Sequence, residues 1–455
     1  MRRPSNQAKR DPFVSDVTDA ARWLGASTDP AAGRRTWLAC LIALTALLVL
    51  GNIANYARLD LNYGWDLHVN CAAVDAHARG LDPYFVKNLK VTTLSYPYLP
   101  VTLDVFRPFC TGGLLAGHYM AVYFVLAVLC GLLLPGLGRT RTRARNVALR
   151  VLCALGAFVG FEWVHVSGNF AILSGVLTTI ALMLLLRAPA DGASADPSFA
   201  LRLAGAALLG LVTSFKLVFF PVLAALYFLP LPRGRKLVLI AVAAFSFAVP
   251  ILISRLSYPD LFASWLLAIA GQIPGQHSVD LVEVNPSLLL LAQSLMEHAG
   301  IHGRPAVLAT YALAALALVL VPFALSVLRV AADRPVREGG SRLLQLDRWL
   351  MDHPHAATRI TVLAMFALYL CSPRLKEYAF FELALYAAIL VVDLPLRPLA
   401  AFLTMGLLAP SMISLAGTAI EGTFILLIAA LMCFWILLQD FRAEPKRLDL
   451  EGAQP

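Results

Sequence analysis

The chain has 455 residues, of which 59% are hydrophobic and only 14% charged, and its mean hydropathy is +0.73. Soluble globular domains carry about a quarter charged residues, so a chain this apolar needs lipid to cover it and a water-soluble domain is excluded. The net charge of +9 does not point to nucleic acid, because Lys and Arg fall in short clusters between apolar runs rather than along one polar face.

The stretch Met1 to Arg35 is polar and basic and holds no apolar run until Trp37, so a cleaved signal peptide is not expected. Apolar runs then follow near 36–56, 117–137, 147–165, 168–187, 202–216, 217–231, 236–254, 305–328, 358–373, 378–394, 398–416 and 419–438. Several reach the roughly 20 residues that cross the hydrocarbon core. The pattern predicts an all-α, polytopic membrane protein of about 12 transmembrane helices. The short pair 202–216 and 217–231 reads either as two broken or tilted spans meeting at Lys216 or as one long kinked element.

With twelve spans both ends share one side. That side holds about 27 of the 37 Lys and Arg residues, among them Arg139, Arg141, Arg143, Arg145, Arg233, Arg235 and Lys236; by the positive-inside rule it is the cytoplasmic one. The expected organisation is a cytoplasmic tail over 1–35, a transmembrane domain over 36–440 and a cytoplasmic tail over 441–455. Two long loops, about 57–116 and 255–304, fall on the outer face. Their apolar stretches Leu99–Leu115 and Leu261–Ala270 are too short or interrupted to span, and suit short helices lying in the interface. Most of the seven cysteines sit in apolar runs; Cys71 and Cys110 share the first outer loop and could pair there.

Three groups carry chemistry. Asp66, in Gly64-Trp65-Asp66-Leu67-His68, follows the first span closely, where a carboxylate can act as a general base or serve as a solvated loop acid or helix cap. Asp82-Pro83-Tyr84 reads first as a turn, and Tyr96-Pro97-Tyr98 follows it. Lys216 lies between apolar segments, where a charge costs roughly 2.5–3.5 kcal/mol and is normally paired or near water. Arg374 and Lys376 crown the outer end of a later run. Together with Lys216 they could hold an anionic phosphate, although ordinary snorkelling explains the pair at the helix end equally well. Glu162, His165, Asn169 and Asn285 sit at helix ends as caps or as ligands. No HExxH, Asp-x-Asp, GxxxxGK[ST] or GxGxxG pattern occurs, so neither a metal nor a nucleotide cradle is expected.

In this order the landmarks resemble glycosyltransferase family 87, of the C-type (GT-C) superfamily of polytopic, lipid-dependent transferases. Those landmarks are Asp66 after the first span, Gly80-Leu81-Asp82-Pro83-Tyr84, Tyr96-Pro97, Gly168-Asn169, Phe215-Lys216, Asn285-Pro286-Ser287-Leu288 and Pro373-Arg374-Leu375-Lys376-Glu377-Tyr378, covering roughly 36–440. The chain departs from the family pattern at Tyr98, where a second proline is usual, at Gly168, which directly precedes Asn169, and at Leu217, where proline commonly follows the lysine. The departures bear on the sugar and acceptor more than on the class.

The resemblance implies a hexosyltransferase of the plasma membrane that moves a hexose, commonly mannose, from a polyprenyl-phosphate donor to a lipid or glycan acceptor on the outer face, with inversion. It makes Asp66 the general base and gives the donor phosphate to Lys216, Arg374 and Lys376. His68, Asp82, Tyr84, Tyr96, His165, Asn169, Asn285 and Glu377 would line the substrates. The partners are the lipid-linked donor, the acceptor and membrane lipid; no cofactor, metal or nucleic acid is called for. A transporter or lipid flippase is the alternative, although the inverted repeats and matched broken helices common in that class are not evident. A scaffold subunit with Asp66 inert is the third reading.

Overall fold

The computed structural model describes residues 30–58, 63–90, 92–136, 144–186, 198–273, 285–332, 342–415 and 424–452, which form helices and no strand. Residues 1–29 of the expected tail, and Arg139, Arg141 and Arg143, lie outside them. Apolar segments fold this way because a helix satisfies its own backbone hydrogen bonds where no water is available. The chain enters through α1 (Pro30–Arg58). The first expected outer loop carries α2 (Trp65–Ala78) and the short amphipathic α3 (Thr102–Thr111), followed by α4 (Gly113–Leu133), which is kinked at His118. An interrupted helix comes next, α5 (Ala144–Gly156) and α6 (Gly160–Ser167), then α7 (Ala171–Leu185) and α8 (Ser198–Ser214).

Beyond α8 the backbone is extended at Lys216 and re-forms as a 3-10 helix over Leu217–Phe228. The segment 202–231 is therefore two elements meeting at Lys216. Twelve residues of 3-10 helix rise about 24 Å, against about 18 Å for an α-helix, so the tighter winding extends the reach of a short segment. Then come α9 (Arg233–Ser257), α10 (Pro259–Ile269), α11 (Leu288–His298), and α12 (Arg304–Ala315), which a π turn joins to α13 (Val321–Ala332). The last part holds α14 (Arg342–Asp352), α15 (Pro354–Leu370), α16 (Phe380–Leu390), α17 (Leu396–Leu403), which a π turn joins to α18 (Ala409–Leu415), and α19 (Ile425–Gly452). The region expected as a C-terminal tail thus continues α19 as far as Gly452.

Among the described residues, six helical stretches are long and apolar enough to cross a membrane: Thr36–Asn55, Ala144–Ser167, Arg233–Ser257, Arg304–Ala331, Leu396–Leu415 and Ile425–Ala443. Exposed Leu47, Phe245 and Leu313 on three of them form the kind of surface that hydrocarbon, not water, accepts. The other six apolar runs are helical but shorter, at Gly117–Leu133, Ala171–Leu185, Phe199–Ser214 and Leu217–Phe228, Pro354–Leu370 and Phe380–Leu390. α16 shows why length alone misses them. All of its residues are buried, because it packs against α5, α6, α7 and α15 rather than lipid.

Two ion pairs are buried between the helices among the described residues. Arg359 of α15 donates to Asp440 of α19 at 2.9 Å. Lys236, fully buried in the first turn of α9, donates to Asp347 at 2.8 Å, and Tyr227 donates to the other carboxylate oxygen at 3.2 Å. Asp347 reaches them because α14 buries Leu346, Asp347, Trp349 and Leu350, the spacing of one helical face. Lys236→Met strands a buried carboxylate and should cost about 3–5 kcal/mol, whereas the double variant with Asp347→Leu should recover most of that. Thermal melting in detergent measures both; an unchanged melting temperature for the single variant would show the pair to be dispensable.

Candidate functional site

Asp66 stands in the first turn of α2, where the helix dipole favours a carboxylate. Two glycines in left-handed backbone bring it there, Gly64 at φ +81 and Gly168 at φ +67. A Cβ on Gly168 would meet the Leu67 Cβ at 2.9 Å and the Gly64 Cα at 3.1 Å, so the start of α2 lies directly on the α6–α7 turn. Gly64 N–H donates to Val166 O at 2.8 Å, and the Tyr123 hydroxyl donates to Gly168 O at 3.1 Å.

The next residue in that turn is Asn169. Its Oδ1 accepts from Ala171 N–H at 2.8 Å at the start of α7, which fixes the amide orientation. Its Nδ2 then donates to Asp66 Oδ2 at 2.7 Å. Burial raises the Asp66 carboxyl above its ordinary value, while Asn169 first, then Lys376, the Ser167 hydroxyl and Lys216 act to lower it. A base with some proton affinity, aimed by an amide and facing cations, is suited to taking a proton from a hydroxyl.

The cations approach from two other parts of the chain. Lys216 lies at the helix break, with Nζ 4.0 Å from the centre of the Tyr378 ring and no hydrogen-bond partner among the described residues. Its electrostatic partners are Glu382 and Asp66, with Lys376 and Arg374 as neighbouring like charges. The segment after α15 is tied down through its carbonyls, Cys371 O accepting from the Tyr311 hydroxyl at 2.6 Å and Pro373 O from Ser287 Oγ at 2.9 Å. It leaves Arg374 exposed and Lys376 half-buried. Burial lowers the Lys376 ammonium below its ordinary value, and Arg374 adds to this.

Lys216, Arg374 and Lys376 line one cavity of about 270 Å³ with Tyr98, Trp265 and Tyr378. A second cavity of about 220 Å³, walled by Phe106, Phe109, Phe170, Leu173 and Leu177, shares Tyr98, Phe215 and Lys216 with the first. An apolar chamber therefore adjoins a cationic one, with Lys216 at the boundary.

The remaining candidates divide. Glu377 is buried; burial pushes its carboxyl up to about 7, with Lys376 pulling down and Asp66 pushing up. His68 is exposed. Asp82 caps its own turn, accepting from Tyr84 N–H at 2.9 Å, and the fully buried Tyr84 hydroxyl donates to Tyr98 O at 2.7 Å. Tyr96, also fully buried, exchanges a hydrogen bond with Thr102. The structure thus uses Asp82, Tyr84 and Tyr96 to shape the loop. His165 packs on the Phe161 ring. Asn285 is buried and, like His165, lines neither cavity.

Sequence reasoning passed over Tyr98, Tyr378 and above all Glu382, a carboxylate inside an apolar run. The rarity of charge in such a run, which drew attention to Lys216, also marks Glu382. Cys71 of α2 and Cys110 of α3 are joined in a disulfide, with Cα atoms 5.2 Å apart, so the helix bearing Asp66 is clamped to its neighbour. No protein-family model, curated protein or solved structure matches the chain.

Because the Glu377 carboxyl is raised from its ordinary 4.5 to about 7, the folded form binds its proton more tightly than the unfolded one. The resulting stabilisation is complete below 4.5 and is lost as pH rises through about 7. Glu377→Gln should flatten the fall in melting temperature across that window. An identical pH profile in the variant would show that Glu377 does not titrate there.

Proposed function

We propose that the chain is a polytopic membrane glycosyltransferase of the C-type fold, with about 12 spans counting short helices buried among longer ones, that takes a hexose, most simply mannose, from a polyprenyl-phosphate donor. The observation that carries the reading is that one oriented carboxylate, Asp66, lies within electrostatic reach of Lys216 and Lys376 from distant parts of the chain, beside and not within the cavity that those cations line. In a single step Asp66 accepts the proton of the acceptor hydroxyl, whose oxygen forms the new bond at the anomeric carbon. The bond from that carbon to the phosphate oxygen breaks, and its electron pair leaves with the phosphate, giving inversion. Charge grows on the departing phosphate, where Lys216 and Lys376, both partly withdrawn from water, stabilise it most effectively and the exposed Arg374 adds its charge from the rim. The aromatic chamber beside Lys216 suits the isoprenoid nearest the phosphate, and a lipid-borne donor needs no nucleotide fold.

The site faces the extracytoplasmic side of the plasma membrane in this reading, with both termini cytoplasmic. Two features support it. The Cys71–Cys110 disulfide belongs to an oxidising compartment, and the basic residues Arg233, Arg235 and Lys236 belong to the opposite ends of the helices.

The test is transfer of radiolabelled sugar from polyprenyl-phosphate hexoses to lipid and glycan acceptors by the protein in nanodiscs. Asp66→Asn should reduce transfer by at least about 10²-fold with melting temperature unchanged. Full activity in that variant would remove Asp66 from the role, and transport of the lipid without transfer would favour a flippase.

A further inference from the structure

Glu382 is a carboxylate that the transfer step does not use, buried within α16 where every neighbour on the helix is also buried. Both of its oxygens are held: Ser174 Oγ of α7 donates to Oε1 and the Tyr369 hydroxyl of α15 donates to Oε2. Tyr369 is itself fixed by Phe219 of the 3-10 helix, the two rings lying parallel with centres 3.9 Å apart. Three elements therefore fix this acid in one place, although an uncompensated buried charge is heavily penalised.

Its compensation is Lys216. Glu382 and Lys216 face one small cavity of about 20 Å³, lined by Ser174, Thr213 and Tyr386 and closed by apolar side chains such as Leu209, Val212 and Phe219, with room for about one water. Glu382 is the leading anion acting on Lys216, ahead of Asp66, and Lys216 is the cation acting on Glu382. Lys216 Nζ meanwhile lies over the Tyr378 ring at 4.0 Å without a hydrogen-bond partner. The ammonium thus stands between a fixed carboxylate behind it and the open cationic cavity in front.

Resting on the phosphate-site reading above, we propose that Glu382 is a positioning residue that, anchored by Ser174 and Tyr369, supplies the counter-charge holding Lys216 charged and aimed at the donor phosphate. Lys216, Arg374 and Lys376 are three like charges that repel one another before the phosphate arrives, and Asp66 and Glu377 offset that repulsion from the side of Lys376. One buried carboxylate behind Lys216 offsets that repulsion without occupying the cavity. Glu382 touches no substrate and acts through Lys216 alone.

The test is a double-mutant cycle on binding of a polyprenyl monophosphate to the full chain in nanodiscs, a readout independent of transfer. Glu382→Gln keeps the size and one accepting oxygen while removing the charge; the amide nitrogen in place of the other oxygen donates, so one of the two hydroxyls turns to accept. It should weaken binding about tenfold when Lys216 is present and by less than about twofold in the Lys216→Met background, the non-additivity of groups acting as a unit. Should E382Q fail to accumulate, Tyr369→Phe, which leaves the carboxylate one hydroxyl short, is measured in the same cycle and should show the same dependence on Lys216. Equal weakening in both backgrounds, or none in either, overturns the positioning role while leaving the phosphate site standing. A wild-type protein that does not bind the lipid phosphate overturns both.

Discussion

Everything around the cavity depends on keeping Lys216 charged in an apolar surrounding. A lysine there must find anions, a ring face or water, and the chain meets that requirement by breaking a helix. α8 stops at Ser214, the backbone runs extended through Lys216, and the 3-10 helix begins at Leu217. The break releases the side chain from a lipid-facing or core-facing stripe and sends it to where α16, the Arg374–Lys376 segment and the Tyr98 loop come together.

The carboxylate side is built by different means. No helix packing of large side chains could bring Asp66 so close to Asn169, because the approach is set by backbone meeting backbone at Gly64 and Gly168. Asn169 then links two helices through one amide, receiving from α7 and donating to α2. An acid placed on a long flexible loop side chain would sample many positions; here it is held by a helix start, an amide and a neighbouring turn. Rigid placement of this kind is what proximity effects require of a reacting group.

The apolar character and the positions of nearly all the apolar helices were legible in the sequence, because each run carries its own signal. Their lengths were not. Ala171–Leu185 and Phe380–Leu390 fall short of a full span since they are enclosed by other helices, and a hydropathy run does not tell a lipid neighbour from a protein one. Asp66, Lys216, Arg374 and Lys376 were legible because charge beside apolar runs is expensive enough to be conspicuous. Asp82, Tyr84 and Tyr96 were equally conspicuous as residue types, yet their polar atoms end on Tyr84 N–H, Tyr98 O and Thr102. A hydroxyl that bonds a carbonyl inside a loop looks the same in sequence as one that bonds a ligand. The pairing of Cys71 with Cys110 was open because it depends on α2 and α3 packing side by side, which no local pattern encodes.

That cross-link ties the maturation of the protein to the redox chemistry around it. Closing a loop of 39 residues removes chain entropy equivalent to roughly 4 kcal/mol in the loop-closure picture, and it does so at the helix that presents Asp66. A chain inserted correctly into lipid but kept in a strongly reducing milieu would retain its bundle and lose only the brace on α2. Host strains lacking thiol-oxidising enzymes, or cell-free mixtures charged with dithiothreitol, would therefore yield material that is well inserted yet poorly organised around α2.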